Sequence, residues 1–430
     1  AVPRLAGPRH LPTRWLLEED KKFLQVQTDA GNLAEDVSQE QVQSWVSEAL
    51  NWWVAGQYVR LPGTPDTVFS ATGQVLTTEG LVQAATGIAF AGPVALATDI
   101  ASVTEYQMVS EANLDPGNIV QIVNDADGSV IDLLYGQNAR NSILGLSENV
   151  VSVEGRDISG QILLSTILLN GDFLNQNPSQ QTLYPGVVLH ELGHSLGLDH
   201  AQLYSHLGGV PYGESLPVMY PLEFPVSWAG FVSPTGGPRF DDTASLSLLY
   251  PSEDYYTDLG RVYGQVILDA TTPVLGANVV ARRKSGPTED KLVSELQFVT
   301  SCVSDFLATD DGSFYFGALP SGTYELWVEP VLTEFVGSTG VGPYSENTGD
   351  ESFRVRTLPE YWSLPEDASP EIDNRSNWTG VSVAAGEDVF SDSLDYPEQR
   401  HDEFRNIPGL FKHIESLCNA LKNNGDRTIT

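Results

Sequence analysis

The stretch HELGHSLGLDH, residues 190 to 200, contains three of the seven histidines in the chain. Residues four apart share one face of a helix, so His190 and His194 can present two imidazoles to one zinc ion, roughly 2.0–2.1 Å from each nitrogen. Glu191 is rotated by about 100° from His190. That offset takes its carboxylate out of the ligand set and places it where it can accept a proton from a water molecule. The pattern predicts the site of a metallohydrolase.

A third protein ligand is predicted shortly after the helix ends. Gly197 can adopt a left-handed conformation that ends the helix, which would turn His200 back toward the first two histidines. Three histidines and one water complete a tetrahedron, and an open fourth position is typical of catalytic zinc. The alternative, three histidines that serve only packing or solvation, would require Glu191 and Gly197 to stand at these positions by coincidence.

The elements that must position these residues can be predicted from periodicity. A helix is predicted from Pro185 to Leu196, with proline in the first turn, where its missing N–H costs nothing. The segment FLQVQT (23–28) alternates like a strand, and NIVQIV (118–123) and GQILLSTILL (160–169) are the clearest further strands. Together these strands predict a mixed sheet.

Two more helices are predicted beside that sheet. Ser38 begins the first, and Gln41 completes a capping box. Its apolar side chains recur on one face at helical spacing: Val42, Trp45, Val46, Ala49, Leu50 and Trp53. The second lies in FDDTASLSLLYP, where Asp242 can cap the helix and Pro251 stops it. Its inward-facing side chains are Leu246, Leu249 and Tyr250.

The histidine stretch resembles the zinc-binding signature of the metzincin metalloproteases, and its exact residues are most similar to those of the matrixin branch. VMYP (218–221) is similar to the matrixin Met-turn, and DDTASLSLLYP to the closing helix of that domain. The resemblance covers residues 19 to 251 and implies an α+β catalytic domain with a mixed twisted sheet and three main helices. It also implies that the three histidines bind zinc, that Glu191 is the general base, and that Met219 forms an apolar floor beneath them.

The chain departs from the matrixin pattern around the site. Residues 201 to 218 form a longer connection than that pattern has, which predicts an inserted loop near the substrate cleft. His206 in this loop is a candidate further ligand, but a solvated loop histidine is the favoured interpretation. No cysteine precedes the domain, so the cysteine-switch latency of many matrixins has no residue here. Tyr220 is structural by resemblance, and Gln161–Leu169 is the candidate edge strand for an extended substrate.

The segment DADGSVID (125–132) is a candidate calcium site, because Asp125, Asp127 and Asp132 lie close together in sequence. The segment fails the EF-hand template, because glycine stands at the fourth position and Gly136 at the twelfth, where a bidentate glutamate is needed. A hairpin turn built on Asp-Gly is the favoured interpretation. A structural calcium ion remains an expectation of the matrixin resemblance, without assigned ligands.

From about Gly260 the sequence changes to strands and turns, which predict an antiparallel β-sandwich. Residues 264–283 and 310–330 resemble the carboxypeptidase regulatory-like domain, with Gly322 and Tyr324 at a GTY corner. This fold serves as spacer, adhesive module or docking surface, so it says little about function. An amphipathic C-terminal helix follows, with Leu410, Ile414, Leu417 and Leu421 on its apolar face. The predicted domains are 1–18 (lead-in, for which a propeptide remnant is one interpretation), 19–256 (metalloprotease), 257–397 (sandwich) and 398–430 (helical tail).

The net charge of −35 would repel phosphate backbones and anionic lipids, which argues against nucleic acid as a partner. The apolar window from Leu81 to Val103 is interrupted by polar, glycine and proline residues, so we expect buried strands and no membrane insertion. Cys302 and Cys418 could pair or remain free thiols. The absence of an N-terminal leader fits an exported, extracellular protein from which a signal was removed.

The sequence as a whole predicts a secreted zinc endopeptidase that acts on protein or peptide substrates. Two alternatives are kept. One is an adhesive or scaffold protein at a cell surface, in which the zinc domain is vestigial; the intact Glu191 argues against it. The other is a processing protease of narrow specificity, gated by the loop after His200. The sequence does not predict the oligomeric state.

Overall fold

The computed structural model describes residues 2–3, 5–6, 11–12, 14–15, 23–55, 89–96, 99–114, 118–154, 157–201, 217–220, 238–250, 255–269, 272–274, 276–284, 299–305, 311–329, 360–363 and 378–390. Within these ranges the chain is a mixed α+β structure with several separate sheets. The predicted helical tail (398–430), Cys418, and the loop that holds His206 lie outside the described residues.

Six of the seven α-helices in the described ranges lie before residue 250, in what we call the first part of the chain; the second part begins near residue 255. They are α1 (Gln39–Ala55), α2 (Val103–Leu114), α3 (Ser129–Tyr135), α4 (Gly171–Gln176), α5 (Tyr184–Ser195), α6 (Phe240–Leu249) and α7 (Tyr255–Asp258), with short 3-10 turns at Ala139–Asn141 and Pro178–Leu183. None of the helices in these ranges is both long and apolar enough to cross a membrane.

The strands form sheets in both parts of the chain. The first part contains β1 (Val2–Pro3), β2 (Leu5–Ala6), β3 (Leu11–Pro12), β4 (Phe23–Thr28), β5 (Ala89–Ala95), β6 (Ile119–Asp125), β7 (Gly145–Glu154), β8 (Asp157–Asn170) and β9 (Leu198–Asp199). The second part contains β10 (Gly260–Gln265), β11 (Ile267–Asp269), β12 (Thr272–Pro273), β13 (Asn278–Arg283), β14 (Val299–Val303), β15 (Ser313–Leu319), β16 (Gly322–Glu329), β17 (Glu360–Tyr361), β18 (Val381–Val383) and β19 (Asp388–Phe390).

The main sheet confirms the predicted mixed arrangement. Its strand order is β5-β4-β6-β8-β7, with the first four strands parallel and β7 antiparallel to β8. Helices α1 and α5 contribute to the hydrophobic core on one face of the sheet. Side chains from α2 and α3 form a second cluster with residues of the opposite face, including Val123 and Leu168. The sheet is therefore enclosed between two helical layers.

Helix α1 begins as its sequence predicts. The Gln41 amide donates to the Ser38 hydroxyl at 3.4 Å, which satisfies one of the unpaired N–H groups of the first turn. The six apolar side chains predicted to face inward are all buried. They place α1 against the sheet and α5, which carries the histidines.

The predicted substrate strand is wrong. Gln161–Leu169 lies inside β8, which pairs with β6 on one side and β7 on the other, so it is a central strand. Residues 164–169 are all buried, which is typical of a strand covered on both faces. The outer strand on this side of the sheet is β7.

The predicted hairpin at residues 125–132 is also wrong. Asp125 ends β6, and after a turn in which Gly128 has φ 70°, helix α3 begins at Ser129. The Asp125 carboxylate accepts hydrogen bonds from Val130 N at 3.3 Å and Ile131 N at 2.9 Å. Asp125 therefore satisfies the start of a helix, and the Asp-Gly pair connects a strand to that helix.

The second part of the chain contains two larger sheets that share a hydrophobic core, and a two-stranded sheet of β11 and β12. One sheet has the order β15-β10-β19, and the other has the order β14-β13-β16-β17, with β18 also paired to β16. Val262 and Phe316 of the first sheet contact a core that includes Val279 and Leu326 of the second. The prediction of purely antiparallel strands is wrong at one position, because β19 runs parallel to β10.

Candidate metal centre

Helix α5 and the turn after it position the three histidines. His190 and His194 lie one turn apart on α5 and are buried. The helix ends at Ser195, and Gly197 adopts φ 90°, the left-handed conformation that the sequence predicts. The short strand β9 then leads directly to His200. The chain reversal at Gly197 therefore brings the third imidazole back to the other two.

The ring nitrogens of the three histidines converge. His200 Nε2 lies 3.3 Å from His190 Nε2 and 3.1 Å from His194 Nε2. One ring nitrogen from each of the three histidines lies within 4.8 Å of the other two. Among the described residues, no other group of three or more histidine, cysteine or acidic side chains converges in this way. The three side chains are therefore close enough to bind one metal ion.

Hydrogen bonds on the far side of two rings fix which nitrogen faces the centre. His190 Nδ1 donates to the carbonyl of Val218 at 2.6 Å, and His194 Nδ1 donates to the carbonyl of Leu198 at 2.8 Å. A carbonyl can only accept, so the proton of each neutral ring lies on Nδ1. The Nε2 lone pairs of both rings are left to point at the shared centre, which is the usual arrangement of a metal-binding histidine.

The spacing of the nitrogens fits a tetrahedral zinc ion. Two ligands at roughly 2.0–2.1 Å from such an ion are about 3.3 Å apart, close to both Nε2 separations. The Nε2 lone pairs of His190 and His194 are therefore spaced from His200 Nε2 as the ligands of one cation would be. Burial also lowers the pKa of His190 to about 4, so the ring is neutral near pH 7, as a ligand must be.

Glu191 follows His190 on α5 and is 6% exposed. Its side chain lies beside the start of β7, since a Cβ added to Gly145 would be 3.3 Å from Glu191 Cγ and 2.6 Å from Val187 Cγ1. Only glycine allows β7 to approach the helix this closely. The side chain of Glu191 therefore packs against the start of β7.

Met219 is fully buried in a turn beside α5. The turn is closed by a hydrogen bond from Tyr220 N to the carbonyl of Pro217 at 3.1 Å. A side chain at Gly193, between the two helical histidines, would overlap the Met219 sulfur and Trp53. Met219 thus packs directly against the histidine helix.

Asp242 caps helix α6, as the sequence predicts, and also binds the backbone of the turn that contains Met219. Its carboxylate accepts from Arg239 N at 2.8 Å, which caps α6, and also from Val218 N at 2.8 Å and Met219 N at 3.0 Å. The same Val218 accepts the hydrogen bond of His190 through its carbonyl. Asp242 therefore holds the turn that orients the first histidine.

Sequence reasoning missed the side chains that hold the end of α5. Trp15 Nε1 donates to the Ser195 carbonyl at 2.8 Å, Tyr250 Oη to the Leu196 carbonyl at 2.8 Å, and Asn149 Nδ2 to the His194 carbonyl at 2.8 Å. Carbonyls at a helix end lack partners within the helix, so these donors fix it in place. Their positions are far apart in sequence, and no local pattern marks them.

No family model matches the chain, and no curated protein is significantly similar to it. One similar solved structure is that of catalytic inactive OgpA from Akkermansia muciniphila, in complex with an O-glycopeptide (glycodrosocin) substrate. The two chains are 10% identical, and the match covers 76% of this chain and 92% of that chain with a TM-score of 0.22. So weak a likeness supports no conclusion about this chain.

Proposed function

We propose that this protein is a zinc-dependent endopeptidase of the matrixin-like type, in which His190, His194 and His200 hold the metal. The observation that supports this most directly is the convergence of three Nε2 atoms, with separations of 3.3 and 3.1 Å to His200. The carbonyls of Val218 and Leu198 keep two of the rings in the tautomer that a metal requires. A set of three histidines leaves one position open, which is typical of catalytic zinc.

A zinc ion at this position would act as a Lewis acid toward a peptide carbonyl and lower the pKa of water toward roughly 7. The contribution of the chain is to move protons and hold groups in place. Glu191 would accept a proton from the attacking water at its carboxylate and deliver it to the nitrogen of the leaving amine. The burial of Glu191 and its packing against Gly145 keep this carboxylate in one place, which favours such a transfer.

We propose that the substrate binds along β7 rather than along β8. β7 pairs with β8 on one side, and among the described residues no strand pairs with its other side. An extended peptide could therefore add to the sheet through backbone hydrogen bonds. Asn149 of this strand donates to the carbonyl of His194, so the proposed binding strand is tied to the helix that carries the metal ligands.

We also propose the domain organisation and the extracellular location that the sequence predicts. Residues 19–256 would form the catalytic domain, residues 257–397 a sandwich of the carboxypeptidase regulatory-like type, and the protein would act outside the cell. Two sheets with one shared core support the second assignment. Tyr324 supports it too, because it is fully buried and donates to the Pro320 carbonyl at 2.7 Å across the GTY corner.

The test compares cleavage of casein, an unfolded protein, by zinc-loaded wild type and by Glu191→Ala. We expect the rate to fall by about 10² or more in the variant, the scale for loss of an acid-base group. Glu111→Ala, at an exposed position of α2, is the matched control and should cleave at the wild-type rate.

Equal rates for wild type and Glu191→Ala, or cleavage that survives a zinc chelator, would contradict the proposed mechanism. Zinc-loaded wild type that cleaves neither casein nor a mixed peptide library would contradict a general endopeptidase. That result would favour the scaffold or the narrow-specificity processing protease.

A further inference from the structure

Two adjacent carboxylates at the start of α6 point to different parts of the molecule. Asp242 accepts from the backbone of the Met219 turn. Asp241 accepts from Ser301 N at 2.6 Å and from Thr300 Oγ1 at 3.0 Å, both on β14 of the second part of the chain. Both aspartates are essentially fully buried. One helical turn thus joins the metal centre to the C-terminal sheets.

The apolar side chains of α6 are divided in the same way. Phe240 and Ala244 belong to the hydrophobic core between the C-terminal sheets. Leu246 and Leu249 belong to the core beneath the histidines, which also contains Met219. Since the helix is part of both cores, it cannot shift relative to one without disturbing the packing of the other.

The hydrogen bonds form a short connected path to the metal centre. Ser301 N donates to Asp241, and the next residue, Asp242, accepts from Val218 N. The carbonyl of Val218 then accepts the Nδ1 proton of His190. The three hydrogen bonds all involve buried groups, and the covalent chain joins them at Asp241–Asp242 and within Val218, so each link restrains the next.

We infer that Asp241 is a positioning residue through which the C-terminal sheets hold the metal centre in shape. This rests on the proposed function, in that the three histidines are taken to bind zinc. The C-terminal sheets are then part of the support of the site rather than a spacer. Burial of a carboxylate is costly unless it is hydrogen-bonded, and Asp241 finds these donors on β14, so the two parts of the chain are fitted to each other here.

The experiment uses the full chain and three variants. Asp241→Leu removes the acceptor at similar size, Asp241→Asn keeps an oxygen acceptor for Ser301 N, and Thr300→Val removes one donor from the other side of the contact. Asp258→Leu is the matched control, because Asp258 is an exposed aspartate at the end of α7.

The first readout is the zinc dissociation constant, measured by competition with a chelator. We expect it to rise about 10- to 100-fold in Asp241→Leu, the scale for loss of an outer support of a metal ligand, and severalfold in Thr300→Val. Asp241→Asn and Asp258→Leu should stay near wild type. A purely structural role would lower thermal stability and leave the zinc affinity of the folded protein unchanged.

The second readout is hydrogen exchange of the Val218 and Met219 amides in the metal-free chain. We expect faster exchange in Asp241→Leu and Thr300→Val but not in Asp258→Leu. Unchanged zinc affinity and unchanged exchange in folded Thr300→Val would overturn the inference, even if Asp241→Leu failed to fold. Wild type that binds no zinc would instead refute the proposed function, while the exchange data would still decide whether the path exists.

Discussion

His190 is restrained on both sides of its ring. Its Nδ1 is tied to the carbonyl of Val218, its Nε2 faces that of His200, and its ring is buried. The spacing of the histidines could be predicted from sequence because it is local: a helical turn followed by a glycine. The residue that fixes the tautomer could not, because Val218 is 28 residues away and reaches His190 only through tertiary structure.

Burial of His190 predicts a pH dependence of stability in the metal-free protein. Because its pKa is lowered to about 4 in the folded chain, the unfolded chain takes up a proton at higher pH than the folded chain does. The free energy of unfolding should therefore fall as the pH drops from about 6.5 to about 4, by up to about 3 kcal/mol from this residue. Above that range His190 is neutral in both states and contributes no further change.

Urea unfolding across this pH range would measure the effect, with His190→Gln as the reference that lacks the titrating ring. The difference in unfolding free energy between wild type and variant should shrink in acid. A constant difference from pH 7 to pH 4 would show that the ring is not desolvated in the folded protein.

At the scale of elements, the sheet order places β7 beside the histidine helix. The sequence predicted β4, β6 and β8, but it misjudged which strand is outermost, since strand order depends on pairing between distant segments. It also missed α2, where Tyr106 is buried while Met108 is 65% exposed, so its apolar residues do not mark one face. The hairpin at Asp125 failed because an Asp-Gly turn can precede a helix as well as a strand.

The close approach of β7 to α5 predicts a specific effect of Gly145→Ala. The added methyl group would contact Val187 and Glu191 and push the strand away from the helix. We expect kcat/KM to fall about 10- to 100-fold, because a small displacement of the base is enough to misalign it. Zinc content should not change, since the atoms nearest to the added methyl group belong to Val187, Glu191 and Leu168 rather than to a histidine.

Steady-state kinetics and metal analysis of the purified variant would check this, with Ser142→Ala at an exposed position just before β7 as the control. If zinc-loaded Gly145→Ala kept the kcat/KM of wild type, the packing of Glu191 against β7 would be irrelevant to its function.

At the scale of the whole molecule, two hydrophobic cores share one helix. Periodicity predicted α6 and its inward face, but the side chains it gives to the second core, Phe240 and Ala244, were not recognised. Strand composition alone indicated where the second part begins, and it could not show that Asp241 is shared between the two parts. Contacts between regions depend on how the completed parts fit together, so they are the least predictable from sequence.

The net charge of −35 predicts a dependence of stability on salt. Like charges on the folded surface repel each other, and this repulsion is relieved when the chain expands. Raising the ionic strength from about 0.01 M to about 0.15 M shortens the screening length from about 30 Å to about 8 Å, so the melting temperature should rise. Differential scanning calorimetry in NaCl and KCl would test this, and the two salts should act alike. A fall in melting temperature with either salt would contradict self-repulsion as the dominant long-range effect.

The measurement that tests the central claim most directly is X-ray absorption at the zinc edge of the full chain loaded with one equivalent of zinc. We predict one zinc with three imidazole nitrogens and one further light atom at roughly 2.0–2.1 Å. His200→Ala should lose the bound zinc, whereas His206→Ala should keep it with an unchanged spectrum. A sulfur ligand, a fourth imidazole that disappears in His206→Ala, or no bound zinc at all would contradict a catalytic centre built on His190, His194 and His200.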